Sequence, residues 1–305
     1  MTETRRAQLV DAFTTEPMAG NPAGVVAEAA DLSDDQMEAI ASELGASETA
    51  FVRPSEEADY RLRYFTPERE VDLCGHATVA AFASLADRDE VGEGTHTVET
   101  NVGTLDVEVE ADGTVWLTQS PPEIREVDVA LEEAADALGL DTAALSEVGE
   151  DLPIARASTG LAFLVVPVGY FEQLSAVDTD LAAIEKLCEQ HDTEGLYAFT
   201  FDTLEGEATL HGRSFAPLAG IPEDPVTGTA SGAVGAYLRY QAALDAEDPL
   251  VFEQGHFLDR PGRVLVDTRE GEEGATAPRV GGRAITTLDG DLTVPESDED
   301  DIIEA

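Results

Sequence analysis

An internal repeat is the feature that most constrains the fold of this chain. The pattern Arg-x-Phe-x-Pro occurs at 63–67 and again at 213–217. Each copy is followed by an acidic stretch and then by Gly-(His/Thr)-Ala-(Thr/Ser), which begins at Gly75 in the first copy and at Gly228 in the second. The repeat length of about 150 residues is far above the range of solenoid repeats. It therefore indicates two similar domains.

The second copy continues through 220–232 (GIPEDPVTGTASG), which we interpret as a loop leading into the N-terminus of a buried helix. Pro225 biases Asp224 toward an extended backbone, and Thr227 or Thr229 can cap the helix. The N–H groups and the dipole of a helix start attract an anion such as a carboxylate. Two such helix starts, one per domain, are expected to face one substrate in a cleft. The alternative for this stretch alone is a tight turn with an N-cap and no ligand.

The distribution of apolar residues predicts more strands than helices, with one unusually apolar helix in each half. We predict an α+β fold of two pseudo-symmetric domains, each a curved, mostly antiparallel sheet wrapped around a central apolar helix. A doubly wound sheet fits less well because strands and helices do not alternate regularly. A further helix is predicted over 33–44, with Ser33 as N-cap and Gln36 completing a capping box.

Pro121-Pro122 is the predicted linker between the domains. The N-terminal domain is predicted to span 1–121 and the C-terminal domain 122–296. A late strand at 283–294 is a candidate to join the N-terminal domain. Residues 297–305 form an acidic tail that is expected to be disordered.

The charge of the chain excludes several classes of partner. It has 64 acidic and 17 basic residues, a formal net charge of −47, and Lys186 as its only lysine. Such a chain repels DNA, RNA and anionic membranes. Because the charges interleave with periodic apolar residues, we predict a folded protein of a salt-rich cytosol, in which salt screens the repulsion between carboxylates. An acidic domain from an ordinary cell is the alternative.

Cysteine and histidine usage predicts neither a disulfide framework nor a metal site. Cys74 and Cys188 are the only cysteines, and the five histidines show no ligand spacing. The start of the chain has no apolar signal-peptide core, and no run approaches the length of a membrane span. A cytoplasmic protein is the expectation. The glycines that follow Gly228 match neither the dinucleotide fingerprint nor a phosphate loop.

Short sequence blocks are spread along nearly the whole chain: DAF at 11–13 with GNPAG at 20–24, SETAF at 47–51, DLCGHAT at 72–78, EDPVTGTASG at 223–232, and QG at 254–255 with RPG at 260–262. These blocks resemble those of the PhzF-like phenazine-biosynthesis family. They occur in the family's order, which makes chance a poor explanation.

The resemblance implies a diaminopimelate-epimerase-like fold, a cleft site, no cofactor and a homodimer. It assigns the essential acid/base to Glu48, with His76, Asp224 and the hydroxyl of Thr229 as supporting groups. The best-known members carry Ser where this chain has Thr229, so the added methyl is expected to tighten that contact. A lone Glu at the start of an apolar strand otherwise lies on a solvated face, which is the alternative for Glu48. Further predicted substrate contacts are Asn21, Ser47, Gly75, Thr227 and Gly228.

The epimerases related to this family use two thiols, one in each domain. Cys74 matches the first thiol, but 220–232 contains no cysteine. Cys188 lies in a predicted amphipathic helix and is interpreted as a core residue. A two-thiol mechanism is therefore disfavoured.

The predicted function is that of a cofactor-independent isomerase of a small carboxylate, with Glu48 transferring the proton. Proton abstraction beside a carboxyl-bearing or conjugated carbon needs one base and donors that hold the developing negative charge. Two alternatives stay open: a one-base epimerase or racemase of an amino or hydroxy acid, and a small-molecule binding protein without turnover. The substrate does not follow from the family name.

Overall fold

A computed structural model describes residues 3–146, 148, 152–244, 249–268 and 277–296. The predicted acidic tail, 297–305, lies outside the described residues. The chain divides into unit 1, Met1–Leu117 with Arg283–Ala305, and unit 2, Thr118–Gly282. The domain boundaries predicted from the sequence were 1–121 and 122–296.

The described residues contain eighteen strands and seven α-helices. The strands are β1 (Thr4–Ala12), β2 (Asn21–Val26), β3 (Glu48–Arg53), β4 (Tyr60–Phe65), β5 (Glu70–Val71), β6 (Gly94–Thr100), β7 (Gly103–Val109), β8 (Val115–Thr118), β9 (Glu123–Glu126), β10 (Ala155–Ser158), β11 (Ala162–Pro167), β12 (Gly195–Thr200), β13 (Leu210–Ala216), β14 (Ile221–Asp224), β15 (Leu250–Gln254), β16 (Gly262–Asp267), β17 (Arg279–Gly282) and β18 (Ala284–Thr293). The helices are α1 (Asp34–Leu44), α2 (Gly75–Asp87), α3 (Leu131–Leu138), α4 (Ala143–Ser146), α5 (Phe171–Ser175), α6 (Leu181–His191) and α7 (Gly228–Tyr240).

The strands of unit 1 pair in the order β18-β1-β2-β3-β4-β6-β7-β8, with β5 added to β4. The pairs β2–β3 and β4–β6 are parallel and the others antiparallel. The late strand β18 returns to this unit because it pairs with β1 along its length.

Unit 2 repeats this topology strand for strand. Its order is β9-β10-β11-β12-β13-β15-β16-β17, with β14 added to β13. The parallel pairs are β11–β12 and β13–β15, the counterparts of those in unit 1. The predicted α+β fold of two similar, mostly antiparallel domains is confirmed.

One apolar helix forms the centre of each unit. Helix α2 packs against β1, β2, β3, β7 and β18. Helix α7 packs against β9, β10, β11 and β16, the counterparts of β18, β1, β2 and β7, and also against β17. Nearly every residue of α2 after the first turn is buried, from Ala77 to Leu85. A helix that is buried on all sides needs small side chains so that strands can approach it, and the Ala-rich sequences of both helices provide them.

The repeated Arg-x-Phe pattern has the same structural role in both units. Arg63 makes a two-pronged ion pair with Glu70, with N···O distances of 2.7 and 2.6 Å. Arg213 makes the equivalent pair with Glu223 at 2.8 and 2.7 Å. Each guanidinium also lies over the phenylalanine two residues later, 5.1 Å and 5.3 Å from the ring centroid. In each unit, the arginine thus fixes the acidic segment that precedes the central helix to the strand that carries the arginine.

The tyrosine inside the first repeat predicts a loss of stability at high pH. Tyr64 is fully buried, and its hydroxyl lies 2.7 Å from Thr78 Oγ1. Burial raises the pKa of Tyr64 above its ordinary value. The unfolded chain releases the tyrosine proton near pH 10, so the buried neutral hydroxyl contributes fully to the free energy of unfolding below that pH. Above pH 10 the free energy of unfolding falls by about 1.4 kcal/mol per pH unit, until the folded protein also releases the proton.

Urea unfolding at pH 9 to 11 in molar KCl measures this loss. Tyr64→Phe should remove about 1.4 kcal/mol per pH unit from the alkaline slope, whereas Tyr170→Phe, at an exposed position, should leave the slope as in the wild type. Equal slopes in wild type and Tyr64→Phe would contradict the prediction.

Candidate active site

Glu48 is the first residue of β3, where the chain enters the core of unit 1. The four residues after it are buried, while the Glu48 side chain keeps 15% exposure. Its Oε2 atom is buried, and no donor among the described residues makes a hydrogen bond to it. His76 Nε2 lies 3.4 Å from this oxygen. A buried carboxylate oxygen without a hydrogen bond retains its capacity to accept a proton.

His76 lies in the first turn of α2, and polar side chains surround its ring. Nδ1 lies 3.4 Å from Asn21 Nδ2 and 3.4 Å from Cys74 Sγ. Nε2 lies 3.5 Å from Ser47 Oγ. Asn21 opens β2, which pairs with β1 and β3, so its position is fixed by the sheet. The predicted residues Glu48, His76, Asn21 and Ser47 therefore meet at the start of α2.

Helix α2 begins at Gly75. Cys74 occupies the N-cap position and makes no side-chain cap hydrogen bond. Thr78 Oγ1 donates to the Cys74 carbonyl at 2.7 Å, which stabilises the first turn. Amide groups at a helix start without a side-chain cap suit an anionic group of a ligand.

In unit 2, the residues predicted from the second repeat form a hydrogen-bonded loop before α7. Thr227 is the N-cap residue of α7, and its hydroxyl donates to Asp224 Oδ2. Ser231 Oγ donates to the Thr227 carbonyl at 2.8 Å, as Thr78 does to Cys74 in unit 1. Gly228 is buried and Thr229 half-buried in the first turn of the helix.

Gln254 holds this loop and was not predicted as a site residue. Its Nε2 donates to the Asp224 carbonyl at 2.8 Å and to Thr227 Oγ1 at 3.1 Å, and its Oε1 accepts from the Thr227 amide at 3.1 Å. The next residue, Gly255, has φ +85, and a Cβ there would lie 2.7 Å from the Pro225 carbonyl oxygen. Only the Gln254-Gly255 block of the family resemblance pointed to this position.

Cys74 completes a cluster with Glu48 and His76 that spacing along the sequence does not reveal. One potential ligand atom from each of the three lies within 4.8 Å of the others. The prediction that cysteines and histidines form no metal site considered only their spacing along the chain. The fold instead brings a strand start and a helix start together.

A cavity of about 860 Å³ in unit 2 has none of these residues in its lining. Arg125, Arg156 and Arg239 are among the residues that line it. Arg125 and Arg156 donate to the carbonyls of His191 and Asp192 at the end of α6. Capping of a helix C-terminus therefore explains these two side chains.

Comparison with known proteins identifies the family. The family described as "Phenazine biosynthesis-like protein" (PhzC-PhzF) matches residues 10–290. The chain belongs to the PhzF family. It is 38% identical over 265 residues to the "Uncharacterized isomerase YfhB" of Bacillus subtilis, covering 85% of this chain and 89% of that protein.

Solved structures agree with this family assignment. The Bacillus anthracis phenazine biosynthesis protein of the PhzF family has a TM-score of 0.87 and 34% identity, covering 96% of this chain and all of that one. A hydroxyproline epimerase from Agrobacterium vitis has a TM-score of 0.63 at 13% identity, over 97% of this chain and 95% of that one, and shows the fold alone. This PhzF-family protein is an isomerase. No helix among its described residues is both long enough and apolar enough to cross a membrane.

Proposed function

We propose that the protein isomerises a small carboxylate without a cofactor, and that Glu48 carries the proton. The observation that carries the proposal is the Glu48 Oε2 atom, which is buried, accepts no hydrogen bond from the described residues and lies beside His76. A base must present an accessible lone pair at the reacting atom. An oxygen already occupied by a structural donor would meet this requirement poorly.

His76 is proposed to orient the proton transfer. Because Asn21 and Ser47 lie near opposite nitrogens of its ring, the imidazole is held with Nε2 toward Glu48. His76 then stabilises the Glu48 carboxylate once Glu48 has given up its proton, or itself delivers a proton to the substrate. His76→Ala is expected to weaken both binding and rate.

The start of α2 is proposed to bind the carboxylate of the substrate. Gly75 and His76 supply N–H groups at the positive end of the helix dipole. Binding the carboxylate there places the adjacent carbon near Glu48. The same donors can hold the negative charge that develops when the proton is removed.

In unit 2, Asp224 and Thr229 are proposed substrate contacts, and Thr227, Gly228 and Gln254 support the loop that carries them. Asp224→Asn should weaken binding and rate together, because the Thr227 hydroxyl would face an amide in place of a carboxylate. The homodimer implied by the resemblance stays a prediction that sedimentation in molar KCl can test.

Thr229 offers a graded test of the second helix start. Thr229→Ser should change turnover little because the hydroxyl is kept. Thr229→Ala should lower kcat/KM roughly 2- to 10-fold, the worth of one hydrogen bond. Steady-state kinetics on both variants checks this, and equal kinetics for the two would show that the hydroxyl does not act.

Epimerisation at the same site is the second candidate function. The observation that favours it is the Cys74 thiol, 3.4 Å from His76 Nδ1, which adds a second titratable group beside the proposed base. An epimerase returns the same carbon skeleton with inverted configuration, whereas an isomerase moves a double bond or a proton to another atom.

A screen of cyclic and acyclic carboxylates in heavy water and molar KCl tests the proposal. Proton magnetic resonance follows the loss of a C–H signal, and polarimetry follows configuration. Exchange with a product in which a double bond or proton has moved to another atom supports isomerisation, and exchange with loss of optical rotation supports epimerisation. If none of the carboxylates in the screen exchanges a proton, the result would contradict proton transfer as the function.

A further inference from the structure

Three side chains with different metal-ligand chemistry converge in unit 1. Cys74 and His76 flank the start of α2, and Glu48 opens β3. Cys74 is 8% exposed, and the side chains of His76 and Glu48 are 11% and 15% exposed. Within the part of the chain that the structure describes, no other group of three or more His, Cys, Asp or Glu side chains brings its ligand atoms this close.

Two of the three separations are close to the edges of a tetrahedral zinc site, and the third, between Cys74 and Glu48, is within 4.8 Å. Zinc bonds of about 2.0–2.2 Å to nitrogen and oxygen and about 2.3 Å to sulfur give ligand–ligand edges of about 3.3–3.6 Å. His76 Nε2 lies 3.4 Å from Glu48 Oε2 and 3.9 Å from Cys74 Sγ. Adjustments of a few tenths of an ångström at the thiol bring these two edges to the ideal values.

The ligand types select the class of cation. A thiolate and an imidazole favour Zn²⁺ and similar thiophilic cations over Mg²⁺ or Ca²⁺, which prefer oxygen ligands. Glu48 Oε2 makes no hydrogen bond with any described residue, so a cation meets no competing donor there. Cys74 binds metal as the thiolate, so binding of the cation releases the proton of the thiol.

We propose that Glu48, Cys74 and His76 bind one thiophilic divalent cation, with Zn²⁺ as the representative ion, and that the bound cation inhibits the enzyme. Three protein ligands leave the fourth tetrahedral position open to water or to the substrate carboxylate. The cation occupies the Glu48 lone pair that would accept the substrate proton. The inhibition, unlike the binding, rests on Glu48 being the base as proposed above.

Co²⁺ gives a readout of binding that does not depend on activity. Many of the 64 carboxylates can bind cations weakly, so titrations are run in molar KCl with excess Mg²⁺. Coordination by a thiolate adds a near-ultraviolet sulfur-to-cobalt charge-transfer band. The matched variants are Cys74→Ala and Cys188→Ala, since Cys188 is the other buried cysteine and lies in α6.

One equivalent of Co²⁺ should produce the band in the wild type and in Cys188→Ala but not in Cys74→Ala, and Zn²⁺ should displace it. Competition with a chromophoric chelator should show Zn²⁺ binding at least about 100-fold weaker in Cys74→Ala, because outer-shell partners alone are worth about 10- to 100-fold. Absence of the band in the wild type, or equal Zn²⁺ affinity in the wild type and Cys74→Ala, would overturn the proposal.

Inhibition is measured with the heavy-water exchange assay, each variant relative to its own rate without metal. One equivalent of Zn²⁺ should stop exchange in the wild type, and Cys74→Ala should need about 100-fold more. If Zn²⁺ binds in the cobalt competition but the protein still exchanges at its full rate, the proposed inhibition is overturned and Glu48 is not the base. If the wild type exchanges protons but does not bind Zn²⁺, the metal site is overturned and the proposed function still stands.

Discussion

At millimolar KCl the protein is expected to lose its folded structure. The chain carries 64 acidic side chains against 17 basic ones, so most carboxylates have no opposite charge available. The screening length rises from about 3 Å at 1 M salt to about 10 Å at 0.1 M. Carboxylates that act independently in molar salt then repel their neighbours over the surface, and the unfolded chain relieves that repulsion.

Circular-dichroism melts between molar and millimolar KCl measure this effect, with size-exclusion chromatography reporting any loss of oligomer. A matched experiment lowers the pH at constant low salt, toward the pI of about 4.1. If charge repulsion is the cause, partial protonation of the carboxylates should restore structure without added salt. A melting curve that does not change with KCl concentration would contradict the prediction.

The repeat made the fold predictable because each copy marks the same structural unit. Arg63 and Arg213 fix equivalent loops, and Gly75 and Gly228 begin equivalent helices. The capping box of Ser33 and Gln36 was also predicted and is confirmed. These features are local, so a short window of sequence contains the residues that form them.

Features that depend on distant pairing could not be predicted from local sequence. Strand β9 contains three charged residues and one isoleucine, and it is a strand because it pairs with β10. Gln254 contacts a loop 27 to 30 residues earlier, and apart from the family block at 254–255 its sequence context gives no sign of that role. For the same reason the three-residue cluster of Glu48, Cys74 and His76 followed only from the fold.

Glu48→Gln is expected to lower proton exchange by about 10²-fold or more, the usual contribution of a positioned general base. That factor corresponds to about 2.7 kcal/mol of transition-state stabilisation. Gln keeps the shape of the side chain and can still make hydrogen bonds, but its amide cannot accept the substrate proton. Substrate binding, measured by calorimetry, should therefore stay nearly intact.

Glu43→Gln is the matched control, because it makes the same chemical change at an exposed position of α1. It should exchange at the wild-type rate. Melting curves of both variants in molar KCl should match that of the wild type, which separates a loss of chemistry from a loss of fold.

Heavy-water exchange on the carboxylate found in the screen, compared between wild type, Glu48→Gln and Glu43→Gln, tests the role of Glu48 most directly. The proposed mechanism predicts exchange reduced by about 10²-fold or more in Glu48→Gln alone, with substrate still bound. Full exchange in Glu48→Gln would contradict it and show that another group is the base, with the Cys74 thiol beside His76 as the first to test.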